Sequence, residues 1–117
     1  MILTIYSIFD TAAGAYMRPF FLQSDGQATR MFSDIATDPE HEVGKHPEDY
    51  TLVSIGTFND NNGDIEPFKV TAIATALELV AAVRNKQGSQ QALLAEMQQR
   101  ESTLRKNGHS TETQNNA

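Results

Sequence analysis

The chain has 117 residues, with 15 Asp and Glu against 9 Lys and Arg for a net charge of −6, which bounds it to one small domain and excludes a surface that attracts nucleic acid everywhere. With no cysteine, disulfides, zinc knuckles, thiol nucleophiles and iron–sulfur clusters are excluded together. The longest apolar stretch, residues 72–83, is interrupted by Thr75 and Glu78 and is too short to cross a bilayer, and Met1 leads into Ile2-Leu3-Thr4-Ile5-Tyr6 without the basic n-region of a secretory signal.

Charge is polarised along the chain. Residues 1–68 hold three basic side chains, Arg18, Arg30 and Lys45, against eleven acidic ones, net −8; residues 69–117 hold Lys69, Arg84, Lys86, Arg100, Arg105 and Lys106 against Glu78, Glu96, Glu101 and Glu112, net +2. No aromatic residue follows Phe68. Because aromatic side chains bring the largest buried areas to a core, the expected organisation is an α+β core domain over 1–68, a helical extension over 69–106, and a tail over 107–117 that lacks large apolar residues and is expected to be disordered.

In chain order, Ile2 to Phe9 is β-branched and aromatic and predicts a strand, closed by the turn-forming Asp10-Thr11-Ala12-Ala13-Gly14. Tyr16 to Gln23 predicts a second strand, irregular at Pro19, pairing with the first as a hairpin. Ser24 or Asp25 caps a helix to about Thr37, with Ala28, Met31, Phe32 and Ile35 on one face and Asp38-Pro39 ending it. Pro39 to Asp49 reads as a loop. Tyr50 to Phe58 is a further strand with Leu52 and Val53 on opposite faces, and Asn59-Asp60-Asn61-Asn62-Gly63-Asp64 is a turn into a returning strand from Ile65 to about Thr71. From Ala74 to Lys86 the composition is helical; whether residues 69–74 finish the strand or start the helix stays open. Gln87-Gly88-Ser89 is expected to interrupt that helix, with Ser89 capping a second one to Lys106 along a narrow Leu93, Met97, Leu104 stripe. The fold class is therefore α+β: a small antiparallel sheet of two hairpins packed on a helix, then C-terminal helices and a tail.

The motifs carry little chemistry. His41-Glu42-Val43-Gly44-Lys45-His46 spaces its histidines five apart, whereas HExxH needs four to put both on one helical face. Asp60, Asn62, Asp64 and Glu66 alternate like a calcium loop, but Ile65 stands where such a loop needs Gly, and Thr71 where it needs a bidentate Glu. No phosphate-binding glycine loop or nucleophile elbow is present. Neither an enzyme, a cofactor nor a metal is expected. The cations Lys69, Arg84, Lys86, Arg100, Arg105 and Lys106 are the candidate nucleic-acid contacts, through salt-sensitive pairing with phosphates, against the alternative of solvated helix faces. Sheet aromatics such as Tyr6 or Phe20 could stack on unpaired bases, although core packing is their commoner fate.

Three segments together resemble a known family: Ile5-Tyr6-Ser7-Ile8-Phe9-Asp10 leading to Arg18-Pro19-Phe20-Phe21; Arg30-Met31-Phe32-Ser33-Asp34; and Lys45-His46-Pro47-Glu48-Asp49-Tyr50 continuing through Ile55-Gly56-Thr57-Phe58 to Gly63. The chain resembles, over about residues 2–65, the small non-structural protein of gokushovirus-type microviruses, phages with single-stranded DNA genomes. That resemblance implies a protein of the host bacterial cytoplasm acting in viral genome replication, binding single-stranded DNA at the switch from duplex replication to genome synthesis and packaging. It supplies no catalytic residues. The partners expected are single-stranded DNA, a second copy in a homodimer or higher homo-oligomer, and a phage replication or packaging protein, with no membrane. The alternative function is a non-enzymatic, oligomeric interaction module that engages such a protein through its acidic face.

Overall fold

The structure, a computed structural model, describes residues 1–109, and side chains through residue 102. Strand β1 (Ile2–Asp10) runs along the middle of a five-stranded antiparallel sheet. On one side it pairs with β2 (Ala15–Tyr16) and β3 (Phe20–Leu22), and on the other with β4 (Tyr50–Asn59), which in turn pairs with β5 (Ile65–Thr75) at the sheet's edge. The expected second strand is thus two short ones, divided at Met17-Arg18-Pro19, where Pro19 has no backbone donor for the ladder.

Helix α1 (Asp25–Ala36) begins as its sequence directs: Ser24 is the N-cap, its hydroxyl accepting the Gln27 amide at 3.3 Å. Its Ala28, Phe32 and Ala36 are buried against Tyr6 and Ile8 of β1 and Leu52 of β4, so these residues define the inner face of the sheet. Val43 and Tyr50 close the same core.

The segment read as a loop contains a short helix, α2 (Glu42–Lys45), and a 3-10 turn over Pro47–Asp49. The helix forms because His41 caps it, its Nδ1 accepting the Val43 amide at 3.1 Å, and because Val43 is fully buried beneath it. One side chain bound into the core decides what a polar, glycine-containing segment does.

The β4–β5 connection is a turn, with Gly63 at a φ of +80°. Asn59 and Asn62 spend their side-chain oxygens on the Asn61 and Asp64 amides, and Asp60 takes the Met1 ammonium at 2.7 Å. These groups stabilise the turn itself.

In the second half one open point is decided and one expectation is corrected. Residues 69–74 belong to the strand, which runs to Thr75; there Thr75 and Glu78 exchange hydrogen bonds, the Glu78 carboxylate accepting the Thr75 amide and the Thr75 hydroxyl the Glu78 amide, a reciprocal cap that starts the helix one residue later. Helix α3 (Ala76–His109) then passes through Gln87-Gly88-Ser89 without a break and reaches beyond Lys106. An isolated glycine costs a helix only about 1 kcal/mol relative to alanine and removes no hydrogen bond. Of the expected tail, residues 110–117 lie outside the described residues. The chain divides into two units, Met1–Val83 and Arg84–Ala117. In the first, Ala76 and Val80 at the start of α3 are buried in the core, while Leu77 beside them is 53% exposed.

Candidate nucleic-acid interface

Strand alternation gives the sheet of the first unit an outer face, opposite α1. Leu3, Ile5, Ser7 and Phe9 of β1 lie on it, paired across to Phe58, Gly56, Val53 and Thr51 of β4. Phe21 joins them opposite Ile5, and Tyr16 opposite Phe9. A register shift at Ile5/Tyr6 lets Ile55 reach the same side.

Two aromatic pairs frame this face. Phe9 and Tyr16 have ring centroids 4.7 Å apart, and Phe21 meets Phe58 edge-on at 5.4 Å. Tyr16 is 53% and Phe21 43% exposed, well above what core aromatics retain. A shallow apolar hollow of about 350 Å³ opens on this face, lined by Ser7, Tyr16, Met17, Pro19, Ile55 and Val70. The Ser7 hydroxyl in the lining is already bonded, donating to the Met17 carbonyl at 2.7 Å. None of the strand positions assigned to this face carries a carboxylate, although eleven are spread over residues 1–68. Arg18 is exposed between the hollow residues Met17 and Pro19, whereas Lys69, next to Val70 on β5, alternates to the opposite face.

The aromatics singled out from sequence sit elsewhere. Tyr6 is fully buried and Phe20 stacks on it at 5.8 Å against the core. The Tyr6 hydroxyl donates to Asp25 Oδ1 at 2.7 Å; burial first, and this carboxylate second, push the phenol up to about 12. The signal that would have found Phe21 was present: adjacent Phe20 and Phe21 on one strand must point to opposite faces, so only one of them can join the core.

The basic candidates are not brought together. Lys69 lies exposed on β5, in the first unit. Arg84, Lys86 and Arg100 are exposed on α3 in the second, and Arg100 is paired with Glu96 at 3.5 Å. At 100° per residue, Lys86 and Arg100 are about 40° apart around the helix while Arg84 lies about 160° from Arg100, so these three do not form one stripe. Arg105 and Lys106 fall on the α3 backbone, with side chains outside the described residues. His41 is turned into its cap, so the two histidines share no metal site among the described residues; His46 instead lies on the surface 3.8 Å from Glu48, with a carboxylate oxygen of Asp49 within 4.8 Å of both.

A family model described as Phage ORF5 protein matches residues 3–79. The chain belongs to this family and is a phage protein. The match covers the sheet, α1 and the first turn of α3. No curated protein and no solved structure matches the chain. Among the described residues no helix is long and apolar enough to cross a membrane.

Proposed function

We propose that this phage protein binds single-stranded DNA during viral genome replication in the host cytoplasm, as a non-enzymatic, microvirus-type non-structural protein acting where duplex replication gives way to genome synthesis and packaging. The observation that carries the reading is the outer sheet face. On an acidic domain none of its assigned strand positions carries a carboxylate, and it displays exposed Tyr16 and Phe21 beside an apolar hollow. Unpaired bases stack on aromatic rings whatever their sequence, and each stacked base contributes about 1–3 kcal/mol. A duplex keeps its bases stacked inside and offers only phosphates, which the acidic body repels. Arg18 supplies phosphate contacts beside this face, and the exposed cations of α3 supply their own on the second unit.

The test is titration of the full chain with labelled single-stranded and duplex DNA of equal length at two salt concentrations. Preferential binding of the single strand, weakening with salt, is expected. Absence of binding to either form at low salt would overturn the reading and leave the protein-interaction module.

A further inference from the structure

We propose that β5 is a homodimer interface, its open edge pairing antiparallel with β5 of a second copy about a two-fold axis that sets Pro67 opposite Phe68. The inference is independent of DNA binding.

β5 is bonded to β4 on one side and is the last strand of the sheet, so its other edge presents unpaired backbone groups. Every residue from Ile65 to Ala72 is exposed, including Ile65 at 60%, Phe68 at 45% and Val70 at 45%. A long exposed edge bearing large apolar side chains is a template for another strand.

The occupant follows from the strand's own sequence. In the stated register, Ile65 faces Val70 of the second copy and Glu66 faces its Lys69, each pair occurring twice by symmetry. Cross-strand partners must share a face. Ile65 pairs with Phe58 on the outer face, and Val70 lines the hollow there. Counting forward from Ile65 and back from Val70 puts Glu66 and Lys69 together on the inner face, with the irregularity of the β4–β5 ladder lying between Pro67 and Thr71. Both charged residues are exposed and neither has an ion-pair partner among the described residues. Sliding the register by one position sets Glu66 against Phe68 or Val70 and strands both charges.

Pro67 and Lys69 are also residue types that guard an edge against pairing. Proline is tolerated on an edge strand, where it removes one donor. A lysine acting only as a guard gains nothing from an acidic partner at its symmetry-related position, yet Glu66 stands there. The dimer would join the outer faces of two copies into one surface.

The experiment is sedimentation velocity of the full chain across a micromolar concentration series, for the wild type and for Glu66→Lys, Lys69→Glu and the double exchange. A reversible wild-type dimer is expected. Each single variant sets like charges opposite each other twice and is expected to weaken it about tenfold; the double variant reverses both signs and is expected to restore it. Amide exchange of residues 65–70 is expected to slow as wild-type concentration rises. A wild type that is monomeric throughout, with concentration-independent exchange in β5, would make the edge a guarded one and overturn the proposal. A dimer indifferent to both single variants, or one not rescued by the double exchange, would overturn it equally.

Discussion

The hydroxyl of Tyr6, in the middle of the central strand, donates to Asp25 Oδ1 in the first turn of α1 at 2.7 Å. Asp25 thereby serves two ends. Its charge lies where the helix dipole favours an anion, and its oxygen satisfies a phenol that burial has taken out of water. The bond fixes helix against sheet at the entry to the core.

Removing it is expected to cost stability without loss of fold. Tyr6→Phe keeps the ring and its stacking on Phe20 and should lower unfolding free energy by about 1–2 kcal/mol in urea at neutral pH. An unchanged midpoint would mean that the bond contributes nothing net.

Alkaline pH probes the same contact. The Tyr6 phenol is raised from 10.0 to about 12, by burial and then by Asp25; Tyr50 is raised too, by burial and then by Asp10, Glu42 and Asp49. Between the unfolded and folded values the unfolded state has lost the proton that the folded state keeps, so stability falls as pH rises. The contribution is intact below pH about 10 and lost on the way to about 12. Melts over this window should show the decline, shallower in Tyr6→Phe, where Tyr50 still contributes; equal slopes would refute the assignment to Tyr6.

Gly44 is fixed by what lies beside it. A Cβ there would run into the backbone carbonyl of Asp38, which no rotamer change can relieve. Gly44→Ala is expected to destabilise by about 2–4 kcal/mol, through overpacking against rigid backbone, and a thermal midpoint equal to wild type would contradict the placement of α2. Gly88→Ala is the opposite case. Nothing lies within 4 Å of a Cβ at that position, so alanine should strengthen α3 locally by about 1 kcal/mol and slow amide exchange around residue 88.

On the outer face, Tyr16→Ala is expected to weaken single-strand binding about tenfold while leaving its salt dependence intact, because a stacked ring contributes without an ion pair. Arg18→Ala should instead reduce the salt slope. If Tyr16→Ala binds like wild type while wild type binds DNA, the face is not the base contact.

Much of the α+β plan was legible from local signals. The Ser24 cap, the apolar face of α1, the Asn-rich turn closed by Gly63 and the opposed burial of Leu52 and Val53 each depend on residues close in sequence. The site was less so. Tyr6 was legible as a sheet aromatic whose commoner fate is the core, where it lies, but its bond to Asp25 was not, since that depends on where α1 is delivered. Tyr16 and Phe21 gave no sign of exposure beyond the alternation at Phe20 and Phe21.

By itself, the sequence determined β1, α1, β4 and its turn, the polarised charge and the absence of thiol chemistry, because these depend on composition and on spacing within a few residues. Only the tertiary structure decided that α2 forms over a buried Val43, that Gly88 leaves α3 whole, and that Tyr16 and Phe21 stay exposed on the sheet face away from α1. Those outcomes turn on contacts between segments distant in the chain, where burial outweighs local propensity.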